Sequence, residues 1–480
     1  MTIKKIIDKV NYNNILKPEI VVTVLILIFG ITFIFLIKPL EIPDEGNQFL
    51  RAYGLSDGKL LAGNNTKDGC IAEGGKILYG KNQLQNSLPD SVASFITQNI
   101  NGYNEQSLLK SKLNPSNRVS VCSTQTELNS PIGYMPQILA ILLLKIFNTP
   151  PIIMDYVARL FILIAWSIII YFAIKTIPVR KWSIGAIALL PISIQQSISI
   201  SPDALTTSIV ALMVAYVVRS YYEDRERKFT KDLIIITILS SLATLSKPVA
   251  IATIILIPLY FSNILKKSKR KRMVILKIIA IFIPVASYLL WSLFIASHNI
   301  SINSTFILAY QKSQFFKTSL FNELKLFFRD SKNYILYGIA LSQFGSFEWF
   351  TKSFPHLFDY LGVAGLVIIL IVSYDQRKML KNVTNRQLKI LNLGIIFTSI
   401  GLFVATLFAL FIIWTPIGAK LIYGIQFRYF LPTFIILAAI SQTKFLRSSA
   451  VWYKNFTLVY SLIFFVASVL TLTGILKIVI

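Results

Sequence analysis

Apolar residues along the chain gather into blocks of about 18 to 25, the length that carries an α-helix across a bilayer. The first block runs from about 19 to 39. It is long for a signal-peptide core and no small-residue cleavage site follows, so it reads as a retained first span. Further blocks lie near 153–174, 182–200, 203–218, 232–246, 248–265, 273–297, 357–374, 390–413, 428–442 and 455–476. Together they predict eleven spans. Two other apolar stretches, 132–147 and 333–350, are short or interrupted, and counting both gives thirteen. Residues 132–147 read as a helix lying at, or dipping into, the outer interface. Two long polar stretches, 40–152 and 298–356, separate the spans as outer loops. The fold class is therefore an all-α polytopic membrane protein. Its transmembrane module covers 1–442, and a loop with a final span covers 443–480.

Composition agrees with the pattern. Of the 480 residues, 54% are hydrophobic and only 15% are charged, against roughly 25% charged in soluble domains. A soluble enzyme, a disordered chain and a disulfide-knotted secreted domain are excluded. The net charge of +26 has two readings, nucleic-acid binding or positively charged cytoplasmic loops. Position separates them. The short segments 1–18, 175–181, 219–231, 266–272, 375–389 and 441–454 hold 26 of the 48 Lys+Arg, whereas the two long loops hold 15. The dense segments all fall on one side of the eleven-span layout. The N-terminus is then cytoplasmic, the C-terminus outside, and no nucleic-acid partner is implied.

The first outer loop is neutral, with nine basic and nine acidic residues, and holds both cysteines, Cys70 and Cys122. Facing an oxidising compartment they either pair or stand as two free thiols. The sequence carries no Cys-x-x-Cys, no His-x-x-x-His, no Walker loop and no Gly-rich dinucleotide turn.

Charged residues recur where spans meet the outside. They are Pro43-Asp44-Glu45 with Arg51-Ala52-Tyr53, then Ser201-Pro202-Asp203, then Ser246-Lys247-Pro248, then Gln426-Phe427-Arg428-Tyr429-Phe430-Leu431-Pro432. Each has an ordinary structural reading. Asp44 and Asp203 follow prolines and suit helix starts, Lys247 snorkels, and Arg428 anchors at the interface. Together, two carboxylates and two cations at one membrane face suit chemistry that takes a proton from a hydroxyl and steadies an anionic phosphate leaving group. Arg51, Arg159, Glu348, His356 and Gln426 are further candidates.

These motifs, with Gly424 opening the last of them, resemble an uncharacterised family of bacterial polytopic membrane proteins grouped with the GT-C glycosyltransferases. The resemblance runs from residue 43 to 432 and is most specific at Gly-x-Gln-x-Arg-Tyr-Phe-x-Pro. Two positions depart from the family pattern. Phe427 stands where Gly is frequent, and Gly46-Asn47-Gln48 stands where a His often follows, which leaves no imidazole beside the first carboxylate.

The resemblance implies a GT-C-like bundle in the bacterial plasma membrane. Its large first outer loop carries interfacial helices and an essential acid at its start. It implies transfer of a sugar, with inversion, from a polyprenyl-phosphate donor to a glycan or lipid acceptor. Asp44 is then the base, and Lys247, Arg428 and Gln426 meet the donor phosphate. Glu45 and Asp203 orient the acceptor or, with Asp44, hold a divalent cation such as Mg or Mn. Some GT-C enzymes use a metal and others do not. The alternative is a transporter or flippase of lipid-linked sugars, which would place polar residues nearer the bilayer midplane.

Overall fold

The structure is a computed structural model that describes residues 17–64, 69–71, 77–78, 84–97, 105–223, 228–264, 271–298, 325, 327–329, 344–348, 351–374, 383–416, 422–440 and 447–476. Most of the expected second outer loop, with 333–343 of its apolar stretch, lies outside these residues.

Helix α1 (Pro18–Leu36) opens on a proline, whose missing N–H is no loss in a first turn. The long stretch expected as the first outer loop follows. It holds α2 (Glu45–Ser56), β1 (Gly63–Asn64), β2 (Cys70–Ile71), β3 (Ile77–Leu78), β4 (Leu84–Pro89), α3 (Asp90–Thr97), α4 (Glu105–Lys110), β5 (Arg118–Ser123) and α5 (Met135–Lys145). The strands form one sheet in the order β1-β4-β5-β2-β3. It is antiparallel apart from β2 against β5. The loop thus carries a small sheet beside its helices. Three of the five strands are two residues long, too short to leave an alternating pattern in the sequence. Cys70 and Cys122 form a disulfide that ties β2 to β5.

Helix α5 matches the expected 132–147. At eleven residues it is about 16 Å long, far short of a bilayer. Gln137, Ala140 and Ile141 face inward, while Met135, Leu139, Leu142, Leu143, Ile146 and Phe147 stand exposed. Lys145 pins its end to Asp57 at 2.5 Å and lies 4.0 Å from the Tyr53 ring. The helix therefore lies along the loop with one apolar face left open.

The remaining elements are α6 (Pro151–Thr176), α7 (Lys181–Ala188), α8 (Pro191–Ser197), α9 (Pro202–Tyr222), α10 (Phe229–Ser246), α11 (Leu256–Ile264), α12 (Lys271–Ser297), the hairpin β6 (Ser346–Phe347) and β7 (Lys352–Ser353), α13 (His356–Ile371), β8 (Ser373–Tyr374), α14 (Asn385–Ile413), α15 (Leu431–Ala438), β9 (Arg447–Ser448) and α16 (Ala450–Leu472). Among the described residues, α1, α6, α9, α10, α12, α14 and α16 are long and apolar enough to cross a membrane. The chain is a helical polytopic membrane protein.

The other four expected spans are shorter or broken. Pro191 separates α7 from α8. A 3₁₀ segment Pro248–Ile255 precedes α11, and another, Phe427–Phe430, precedes α15. Helix α13 has 16 residues. Proline withdraws a backbone donor and interrupts the ladder. Such breaks are tolerated at membrane depth where protein covers them, and every residue of α8 is buried.

Helix α9 is the axis of the bundle and is mostly buried, whereas α12 is peripheral and mostly exposed. Helix α9 packs on α6, α10, α11 and α15. Helices α1 and α6 approach closely at Gly30, where a Cβ would meet Leu163 at 2.4 Å. The final helix α16 joins the same core through a Phe29–Phe465 stack at 3.7 Å. Tyr453 also donates to the Ile369 carbonyl at 2.7 Å.

Arg180, expected as an exposed loop charge, is buried. Its guanidinium donates to the carbonyls of Ile369, Leu370 and Val372, which end α13, and to that of Ala438, which ends α15. It thereby satisfies carbonyls that a helix end leaves unpaired, at the negative end of two helix dipoles. Arg180→Met should cost about 2–4 kcal/mol, read as a lower melting temperature in detergent. Lys181→Met should cost about 0–1 kcal/mol, because its contact with Glu19 is 3.6 Å and partly exposed. Equal melting of the two variants would contradict the capping role.

Candidate functional site

The four sequence clusters converge at one end of the bundle. Asp44 follows Pro43 and is the cap residue of α2, with φ +68°. That left-handed conformation is uncommon for a non-glycine residue and tends to persist where surrounding structure over-determines it. The constraint is visible on both sides. The Pro43 carbonyl accepts from Arg428 Nη1 at 3.0 Å, and Glu45 is gripped by Arg159 Nη2 at 2.5 Å and Nε at 2.9 Å. The Asp44 side chain remains 39% exposed, so it is reachable from outside.

Asp203 sits in the first turn of α9, after Pro202. There the helix dipole favours a carboxylate. Lys247 is the residue after α10 and pairs with Asp203. Arg428 lies on the 3₁₀ turn before α15, and its Nη2 meets Asp44 Oδ2 at 2.6 Å. Gly424, at φ +78°, supplies the left-handed residue that turns the chain into this segment. Tyr429 joins the two ion pairs. Its ring lies 4.3 Å from Lys247 Nζ and 5.2 Å from Arg428 Cζ, within cation–π reach of both. A pocket here is lined by Asp203, Thr206, Lys247, Leu402, Arg428 and Tyr429, among others.

A match to the family of predicted membrane proteins DUF2142 covers residues 27–437. The chain belongs to DUF2142. The match spans all four clusters. No curated protein and no solved structure is detectably similar to this DUF2142 chain.

The remaining expected site residues of this DUF2142 member go elsewhere. Glu45 is adjacent to Asp44 but points the other way, fully buried on Arg159. Arg159 also meets Asp155 at 3.0 Å and donates to the Ile37 and Lys38 carbonyls. This cluster braces the end of α1 and the start of α2 against α6, so neither Glu45 nor Arg159 faces the pocket. Arg51 is buried inside the first loop, bonded to Glu127 and to the carbonyls of Leu60 and Asn129. Glu348 is buried, accepts from Thr351 and Lys352, and lies beside Glu41. Burial, then the Glu348 charge, pushes the Glu41 carboxyl above its ordinary range. His356 is exposed at the start of α13. Gln426 precedes the Arg428 turn, and its Oε1 is buried without a hydrogen-bond partner among the described residues.

A divalent cation was one expected role for Asp44, Glu45 and Asp203. The donor set does not fit it. Asp44 and Asp203 are each matched by a cationic side chain and Glu45 is committed to Arg159. Among the described residues no three acidic, His or Cys side chains gather.

Sequence reasoning missed Tyr429, Thr206 and Thr207 as site residues. Thr206 and Thr207 stand three and four positions after Asp203, on the same helix face. Thr207 donates to the Asp203 carbonyl at 2.8 Å, and Thr206 bonds Ser246, next to Lys247, at 2.9 Å. Tyr429 adjoins Arg428 in the motif, and an aromatic ring beside a candidate cation was the signal available.

Proposed function

We propose that this chain is an inverting glycosyltransferase of GT-C type in the bacterial plasma membrane, with its N-terminus cytoplasmic and its site outside. It moves a sugar from a polyprenyl-phosphate donor to an envelope glycan or lipid acceptor. The observation that carries this reading is the meeting of Asp44, Asp203, Lys247 and Arg428 around Tyr429. A glycosyl transfer from a lipid phosphate needs a base for the acceptor hydroxyl and cations for the leaving phosphate, on one site at the membrane edge. Asp44, the more exposed carboxylate, is the base. Lys247 neutralises the phosphate as a point charge and Arg428 as a fork. The GT-C bundle of eleven spans is part of the same proposal. The seven long helices and the four shorter or broken ones align with its eleven expected spans.

Membranes bearing the full chain, given radiolabelled polyprenyl-phosphate sugars, should pass label to an envelope acceptor and release polyprenyl phosphate. Label that instead crosses the membrane still attached to its lipid would support a transporter and overturn the transferase.

A further inference from the structure

The two ion pairs of the site leave it electrically balanced. Asp44 and Asp203 cancel Arg428 and Lys247, so an arriving anion gains little until a pair opens. The geometry of Arg428 says which partner gives way. Its Nη1 is anchored on the Pro43 carbonyl at 3.0 Å, and its side chain is 5% exposed. Asp44 holds only Nη2, through a single oxygen, and is 39% exposed. Arg428 Nε is buried and has no hydrogen-bond partner among the described residues. The Nε–Nη2 edge of the guanidinium, the fork that grips phosphate with two parallel bonds, is therefore half used. A phosphate can take both donors where Asp44 takes one, without moving Arg428 off Pro43. Lys247 shares the Tyr429 ring with Arg428, so one anion beside that ring is within reach of both cations.

We propose that phosphate binding exchanges these ion pairs: the donor's phosphate takes Arg428 and Lys247 from Asp44 and Asp203, and only then is Asp44 unpaired to receive the acceptor's proton. This inference rests on the transferase reading of the same site and adds an order to it, donor before acceptor. Tyr429 is the positioning residue that holds both cations for one anion. In the step itself, the acceptor oxygen bonds to the anomeric carbon and its proton passes to Asp44. The bond from that carbon to the phosphate oxygen breaks, with its electron pair going to the phosphate. A site that releases its base only after the donor has bound protects that base from idle pairing with water or acceptor alone.

The test is binding of farnesyl phosphate to the full chain in nanodiscs, by calorimetry, with inorganic phosphate and farnesol as parallel probes. Asp44→Asn, which removes the competing carboxylate, should bind farnesyl phosphate about tenfold more tightly than wild type. Asp203→Asn should also tighten binding, through Lys247, and decides the matter if Asp44→Asn fails to fold. Arg428→Ala should lose binding. Wild-type binding with no tightening in either Asn variant overturns the exchange and leaves the transferase reading standing. Farnesol binding as well as farnesyl phosphate removes the anion site and both readings with it. Inorganic phosphate binding as tightly as farnesyl phosphate, with the Asn variants still tighter, upholds the exchange and removes the lipid-linked donor.

Discussion

Arg159→Met should leave little folded protein. Arg159 is fully buried, and its guanidinium meets the Glu45 and Asp155 carboxylates and the carbonyls of Ile37 and Lys38. Methionine fills much of the space but donates nothing. Two carboxylates and two carbonyls then lie buried without their cation. Breaking a buried ion cluster by removing one partner costs about 3–5 kcal/mol, against a net stability of about 5–15 kcal/mol for a typical protein. The variant should show low yield and aggregation in mild detergent. Replacing the whole cluster, Arg159→Met with Glu45→Gln and Asp155→Asn, should recover much of the loss, because no charge is then stranded. A single variant that elutes and melts like wild type would show that this brace does not hold the start of α2.

The second large effect is on turnover. Asp44→Asn keeps the shape of the residue and its place opposite Arg428, but the amide cannot take a proton. A positioned base contributes about 10²–10⁴-fold, and the loss should fall within that range with the fold intact. Asp203→Asn should lose less, because its carboxylate is held by Lys247 and lies deeper, at 10% exposure. Equal losses for the two would argue that both acids serve only to hold the cations.

The sequence made the candidate site partly legible because its charges sit at span ends. A charge beside twenty apolar residues stands out, and Asp44, Asp203, Lys247 and Arg428 were all found that way. The sequence does not show which way a side chain turns. Asp44 and Glu45 are adjacent and look alike, yet one is part-exposed on Arg428 and the other is buried on Arg159, 114 positions away. Arg159 and Arg180 look like span and loop charges, but both act on carbonyls at helix ends far along the chain. Such capping depends on tertiary packing and has no local pattern. The small sheet of the first loop was missed for a similar reason. Its pairs join β2 to β5, with 52 positions between the cysteines that lock them, and the short strands leave no period to read. Proline explains one further disagreement, since Pro191 breaks an apolar block that looks continuous.

The most direct measurement is release of polyprenyl phosphate from a radiolabelled polyprenyl-phosphate sugar by the full chain in proteoliposomes, with wild type and Asp44→Asn run side by side. Wild type should couple release to sugar transfer, and the variant should lose about 10²–10⁴-fold. Equal release and transfer by the two proteins would contradict Asp44 as the base.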